Sequence, residues 1–278
     1  MAEISAAAVK ALRELTNLPL MDCKQALTEA NGNQDQAVQI LRSKFKKVML
    51  KRADNATSEG RIGIEVKADG SEAVMIELQC ESAPVAGAES FIALARQCAV
   101  QLLNGPGADT PADLLAQPAP GVPGKTLNDV YEDVVNAIRE KIVLARIMRV
   151  KGPVGGYVHH DNKQAVLFQA TGASGTAPVL RDVAMHVASM KPVATFPEQL
   201  PADLVNAERD RLRAEAKKTG KPDNIIEKIV DGQMNTFYND QGVLVCQQFV
   251  KEQSKTVSQA LAEAGLKAAS FTRWVLGR

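Results

Sequence analysis

Apolar positions recur along this chain in two periods, and the switch between them marks its elements. In residues 2–50 they return at helical spacing: Ala8, Leu12 and Leu15, then Ala26, Leu27 and Ala30, then Ala37, Ile40 and Leu41. Ser5 is placed to cap the first helix, which ends near Thr16-Asn17. Pro19 lies in the connecting turn, Asp22 can cap the second helix, and Asn31-Gly32-Asn33 stops it. From Ala73 to Cys80 the run Val74, Met75, Ile76 and Leu78 predicts a buried strand, which Glu81-Ser82-Ala83-Pro84 breaks into a sharp turn. Phe91, Ile92, Ala95, Ala99 and Leu102 then resume helical spacing from Glu89 onward.

This strand-turn-helix grammar occurs twice. The stretch starting at Gly152 repeats the one starting at Gly60: a strand, a polar turn (Asp69-Gly70, then Asp161-Asn162) and a strand opening with Ala-Val. The following helices align Arg96 with Arg181 and Ala99 with Ala184. A hairpin and helix made twice reads as an internal duplication, each helix burying its apolar face on its own hairpin. Between the copies, Asn104–Gly124 is a Pro- and Gly-rich surface loop. Leu127–Val150 reads as a long helix with Val130, Val134, Ile138, Ile142 and Ala145 on one side. Beyond the breaker Thr195–Pro201, a highly charged helix (203–216) and a second one (Asp223 to about Phe237), joined through Thr219-Gly220-Lys221-Pro222, form an antiparallel hairpin whose polar arm reaches solvent. Val243-Leu-Val reads as a last strand, Ser254-Lys-Thr-Val opens a C-terminal helix to about Ala264, and an apolar Phe271–Leu276 segment follows.

The expected fold is therefore α+β. Residues 1–52 form a three-helix module resembling the ubiquitin-associated fold. A duplicated hairpin-plus-helix α/β core spans 53–150 and then 151–201 with 239–252. A helical hairpin (coiled coil) is inserted at 202–238, and a C-terminal module with its helix covers 253–278. The basic connector Phe45–Thr57, with Lys44, Lys46, Lys47, Lys51 and Arg52, is either a docking surface or, the plainer reading, a solvated helical linker.

Composition narrows the function. A hydrophobic share of 45% with 23% charged residues describes a globular chain, and a net charge of +1 with 4% aromatics disfavours direct nucleic-acid binding. No signal peptide and no membrane-length apolar run stand out, and the four cysteines form no CxxC pair, so a cytoplasmic protein with reduced core thiols is expected. No phosphate loop, GxSxG elbow or HExxH motif occurs. Cys80 sits before a turn and helix, where a reactive thiol could lie, but buried packing is the commoner fate of such a residue. His159 and His160, adjacent in a strand, would point to opposite faces and could not share a metal. No cofactor and no catalytic set are indicated.

Several motifs do resemble one family. Leu12-Arg13-Glu14-Leu15-Thr16 with Met21–Leu27, Glu77-Leu78-Gln79-Cys80-Glu81, Ala184–Ala188, Gly220-Lys221-Pro222 with Ile226–Met234, and Gln248-Phe249-Val250 with Ser254–Val257 occur in the order found in bacterial elongation factor Ts. The resemblance implies a guanine-nucleotide exchange factor that binds elongation factor Tu, GDP-bound and nucleotide-free, and loosens its magnesium and phosphate contacts so that GDP leaves. Such a factor needs no covalent chemistry. It also implies that Arg13, Leu20 and Met21 dock the N-terminal module on the partner, that His186 lies in the core surface facing it, and that Ser82, Ala83, Pro84 and Val85 occupy the wedge near the magnesium site. A two-to-two assembly through the helical hairpin is possible. The family's Thr-Asp-Phe-Val-Ala is here Ser82-Ala83-Pro84-Val85-Ala86, and Asn17 replaces the usual glycine of the first signature. An exchange factor with an altered wedge, a Tu-binding chaperone-like relative with little exchange activity, and a thiol enzyme using Cys80 are the readings in play.

Overall fold

A computed structural model describes residues 4–16, 18–172 and 177–278, the side chains of 45–49 excepted. Asn17 and the side chains of Phe45, Lys46 and Lys47 therefore lie outside the described residues. Residues 1–63, 74–149 and 275–278 form one compact unit, and residues 64–73 and 150–274 a second.

The N-terminal helices are α1 (Ala6–Thr16), α2 (Leu20–Glu29) and α3 (Gln34–Lys51). The Ser5 hydroxyl caps α1 by accepting from Ala8 N at 3.2 Å, and Asn33 caps α3 through Gln36 N at 3.0 Å. Asp22 does not cap α2; that helix starts two residues earlier, behind Pro19. Their shared core is Val9, Leu12, Leu18, Cys23, Ala26, Leu27, Ala30, Ala37 and Leu41. Val9, not Leu15, completes the buried stripe of α1, and Leu15 is exposed. The charged connector is helical through Lys51, and beyond it Arg52 is committed to an ion pair with Glu81.

The first copy of the duplicated unit comprises β1 (Glu59–Val66), β2 (Glu72–Cys80), the single-turn helix α4 (Ala83–Ala86), α5 (Glu89–Asn104), the short α6 (Pro111–Leu115), α7 (Leu127–Ile138) and β3 (Ile142–Lys151). The sheet order is β1-β2-β3. The expected long helix 127–150 is corrected here. It ends at Arg139, which takes a left-handed conformation, and the β-branched run from Ile142 onward forms a strand instead. The loop 104–124 contains α6, whose Leu114 is buried. Val74, Ile76, Leu78, Cys80, Phe91, Leu94, Cys98 and Leu102 form the centre of this core, while Ile92 is exposed.

The second copy has β4 (Val154–Val158), β5 (Gln164–Gly172), α8 (Pro178–Met190), α9 (Ala202–Lys217), α10 (Asp223–Asp240), α11 (Val257–Glu263) and β6 (Leu266–Val275), with sheet order β4-β5-β6. In the antiparallel pair β4–β5, Val154 faces Gln169 and Val158 faces Ala165. Val243-Leu-Val is not a strand: Val243 makes a single bridge to Ala194, and Leu244–Cys246 is one 3₁₀ turn. The apolar segment after Ala264 is a full strand, β6. Helices α9 and α10 close on Leu212, Ala216, Ile226, Val230 and Met234, and carry the ion pairs Arg213–Glu227 and Arg209–Asp231 between them.

Hydrogen bonds carry the duplication further than the sequence pattern did. Lys67 N donates to Glu72 O and His159 N to Gln164 O, both at 2.9 Å, closing hairpin turns of equal length. Ahead of the later helices, Leu127 N donates to Gln117 O and Ala119 N to Lys125 O; Val257 N donates to Gln247 O and Phe249 N to Lys255 O. Thr126 and Thr256 then form capping boxes on α7 and α11. Each copy is thus hairpin, helix, closed loop, capped helix and third strand.

Candidate functional site

Strand β2 is buried almost throughout, and from Ile76 onward apolar side chains on one face alternate with the polar residues Glu77 and Gln79, followed by Glu81, on the other. Glu77, 1% exposed, accepts from Arg146 Nε at 2.8 Å, from Gln79 Nε2 at 2.7 Å and from Gly277 N at 3.0 Å. Gln79 Oε1 accepts from Thr57 at 2.8 Å. Glu81 accepts from Arg52 with both oxygens at 2.9 Å, from Asn55 at 2.7 Å and from Lys141 N at 2.6 Å. Desolvation works against its charge, yet the Lys141 N–H, Asn55 and Arg52 hold the Glu81 carboxyl below the usual carboxylate range. On the opposite face Cys80 is fully buried. Burial pushes its thiol up to about 11, and the S–H donates to Ser82 O at 3.3 Å. That is a structural thiol, not a nucleophile poised near neutrality. Cys98 is similarly pushed up to about 12.

The strand runs directly into the turn 82–86. Pro84 does not simply break it: the chain makes one helical turn, α4, and proline suits the start of a helix, where its missing N–H costs no bond. Ala83 and Pro84 are exposed, whereas Val85 and Ala86 pack on the core beside Phe91. Ser82 precedes α4, but its side chain caps no helical N–H. Instead Ser82 N and Oγ donate to the two carboxylate oxygens of Glu140, at 3.1 and 2.7 Å.

On the N-terminal module Arg13, Leu20 and Met21 are all exposed, Met21 at 70%, and Leu15 joins them as an exposed apolar residue. Asp22, next to Met21, is ion-paired with Arg139. His186 corrects the expectation of a surface residue. It is fully buried on α8, with Nδ1 accepting from Val250 N at 3.2 Å and Nε2 at 3.0 Å from Gln247 Oε1. The backbone donor at Nδ1 places the proton on Nε2, so the ring is neutral and Nε2–H donates to Gln247. Burial pushes its pKa below the ordinary value, only partly opposed by the Gln247 bond. His186 thereby holds the Gln247–Val250 segment, and Val250 itself is exposed.

His159 and His160 also depart from expectation. They follow β4 in the hairpin turn, their ring centroids are 4.3 Å apart, and His159 Nδ1 lies 3.1 Å from the Tyr157 hydroxyl. Among the described residues no group of three or more His, Cys, Asp or Glu could hold a metal. No helix among them is long and apolar enough to cross a membrane. Arg52, Asn55 and Lys141 hold Glu81, Glu140 holds Ser82, and Arg139 pairs with Asp22; of these, sequence reasoning placed Arg52 only in the connector and missed Asn55, Arg139, Glu140 and Lys141. The signal for the last three was present: Ile142-Val143-Leu144, rich in β-branched residues and leading to Gly152-Pro153, marks a strand whose entry corner is 139–141.

Comparison with known proteins shows what this chain is similar to. The family model described as elongation factor TS matches residues 81–278, from the bracing carboxylate of the turn to the last residue. Curated relatives named elongation factor Ts include those of Paenarthrobacter aurescens (strain TC1), 41% identical over all of both chains, and Nautilia profundicola, 38% identical over 99% of this chain and 91% of the relative. That of Methylobacillus flagellatus is 36% identical over all of this chain and 93% of its own. With relatives this similar along its whole length, the chain belongs to the elongation factor Ts family.

Proposed function

We propose that this protein is the nucleotide-exchange factor of translation elongation, acting in the cytoplasm on elongation factor Tu. It binds the GDP form and stabilises the nucleotide-free form more, so that GDP release is accelerated and GTP can enter. By linkage, a factor that binds the empty partner more tightly than the GDP-bound one must weaken GDP binding by the same factor. The work is done by binding, and no residue is asked to make or break a covalent bond.

The observation that carries this reading is the family match itself, with relatives named elongation factor Ts along the whole chain and a family model over residues 81–278, a stretch that includes the exposed tip Ala83-Pro84. The tip carries neither charge nor aromatic ring, so it acts by shape: a short helical turn seated on the core through Val85 and Ala86 and pressed against the partner near its magnesium site. Arg13, Leu20 and Met21 supply the second contact, since Leu20 and Met21 are exposed apolar side chains of the size a partner would cover and Arg13 is exposed in the same module. His186 contributes indirectly, by holding Val250 at the surface. Leu204 and Ile225 are exposed on the helical hairpin, where a two-to-two assembly would form.

The test is stopped-flow release of a fluorescent GDP analogue from elongation factor Tu as this chain is titrated in. A saturating acceleration of orders of magnitude is expected. Tight association without acceleration would make the protein a chaperone-like binder of its partner, and no association would end the reading altogether.

A further inference from the structure

The corner between α7 and β3 joins features that lie far apart in sequence. Arg139 adopts φ 63° and ψ 26°, a left-handed conformation that costs a non-glycine residue about 1 kcal/mol or more. Its side chain pairs with Asp22, beside Met21 on α2. Glu140 takes both donors of Ser82. Lys141 N donates to Glu81, and its ammonium donates to Ala53 O and Asn55 O. Three consecutive residues therefore fix the start of α2, the turn after β2 and the end of the connector from α3.

We infer that Glu140 is a positioning residue for nucleotide exchange, setting the angle at which the 82–86 turn presents Ala83 and Pro84. The inference rests on the reading above, that this turn is the acting edge. Two features of α4 support it. A helix of four residues is far below the length that holds itself together in water, so its orientation depends on external partners. And Ser82, which in an ordinary N-cap would accept from its own helix, has both its N–H and its hydroxyl engaged by Glu140. Val85 and Ala86 anchor one end of the turn by packing, and Glu140 anchors the other by two charge-assisted hydrogen bonds, the shorter at 2.7 Å. Without the carboxylate the tip keeps its residues but loses its fixed direction. Exchange depends on that direction because a shape-only wedge has no charge with which to find its target.

The same stopped-flow assay tests this with the full chain. Glu140→Ala is expected to lower the saturating rate of GDP release at least tenfold. The half-saturating concentration and the affinity for nucleotide-free elongation factor Tu should stay within threefold, because docking through Arg13, Leu20 and Met21 is untouched. Ser82→Ala should move the rate in the same direction, and the double variant should be no slower than Glu140→Ala alone. Glu140→Gln, which keeps one acceptor oxygen, should lose less. If circular dichroism shows Glu140→Ala unfolded, Glu140→Gln and Ser82→Ala carry the test. An unchanged saturating rate, a loss confined to the half-saturating concentration, or additive effects of the two substitutions would each overturn the inference. A wild-type chain that fails to accelerate release overturns the exchange reading as well, whereas an accelerating wild type matched by Glu140→Ala overturns this inference alone.

Discussion

The two copies of the hairpin-helix unit share their hydrogen-bonded frame and differ in what is attached to it. Both close the same four-residue hairpin turn, both fold a Gln-to-Lys loop ahead of a threonine-capped helix, and both end in a third strand on the edge held by the hairpin's second strand. In the first copy the passage from α5 to Gln117 is short, and strand β2 leads into the exposed turn at 82–86. In the second, the passage from α8 to Gln247 is lengthened by the whole α9–α10 hairpin. What the copies keep is what closes a core. What they do not keep, the braced turn in one and the inserted hairpin in the other, is where a contact with another molecule can be varied without unfolding the frame. The paired positions give direct ways to test how separate these two demands are.

The largest contrast is at Gly63 and Gly155, which occupy the same place in the first strand of each copy. A Cβ on Gly155 would lie 2.3 Å from the carbonyl carbon of Leu180, because α8 lies directly on β4 there. A Cβ on Gly63 would meet only the Ile76 side chain, at an ordinary 3.5 Å. Gly155→Ala should therefore cost about 3 kcal/mol and lower the midpoint of thermal unfolding by roughly 10 °C. Gly63→Ala should cost well under about 1 kcal/mol, since the added methyl finds free space. Equal losses, measured by calorimetry on both variants, would mean that the helices ride at the same height over both hairpins.

This contrast also shows what the sequence could and could not reveal. The hairpins, α5, α8 and the α9–α10 pair were legible because their apolar positions repeat with a single period over eight or more residues. The third strand of each copy was not. Ile142–Lys151 follows a helix with no proline or glycine between them, and its Ile142 and Ala145 fall in phase with the apolar stripe of α7, so only the left-handed Arg139 separates the two elements. In β6 the apolar residues are interrupted by Ser270, Thr272 and Arg273. At the candidate site, Arg13, Leu20 and Met21 are exposed, whereas His186 turned inward because a neighbouring chain segment, Gln247–Val250, uses both ring nitrogens. Glu140 was invisible for a similar reason: its partner Ser82 is distant in sequence, and no local pattern encodes a tertiary hydrogen bond.

The next contrast is polar. The alignment that pairs Arg96 with Arg181 also pairs Gln101 with His186, and each reaches a glutamine in its own loop: Gln101 Nε2 donates to Gln117 Oε1 at 3.0 Å, as His186 meets Gln247. His186 is fully buried and serves two partners, so His186→Ala should cost about 2 kcal/mol; Gln101→Ala, with a half-buried side chain and one such bond, should cost about 1 kcal/mol. The histidine adds a pH term. Its folded pKa lies below the ordinary value, so the unfolded chain takes up the proton first. Its contribution is complete above about pH 6.5 and is lost as pH falls below that. Urea titrations between pH 8 and pH 5 should show His186→Gln, which installs the first copy's residue, with a shallower decline than wild type. The nearby Asp182–Lys251 ion pair is left in place by that change and serves as the internal constant. Parallel declines would show that His186 does not titrate in this window.

The smallest contrast lies in the caps. Thr126 Oγ1 accepts from Asp129 N at 3.1 Å and Thr256 Oγ1 from Gln259 N at 3.2 Å, so Thr126→Ala and Thr256→Ala should each cost about 1 kcal/mol at neutral pH. The reciprocal arm differs: Asp129 returns a carboxylate to Thr126 N, and Gln259 returns a neutral amide oxygen to Thr256 N. The Thr126 N–H and hydroxyl, helped by Arg42, hold the Asp129 carboxyl below its ordinary range. A depressed carboxylate contributes stability that is present above the unfolded value near pH 4 and is lost as pH falls through the folded one. The cost of Thr126→Ala should therefore shrink between pH 6 and pH 3, because the wild-type cap is itself weakening, while the cost of Thr256→Ala should stay level. If both costs track together with pH, the charge on Asp129 adds nothing to the box. The two caps would then be equivalent in energy as well as in geometry, and the copies would differ only in what is attached to them.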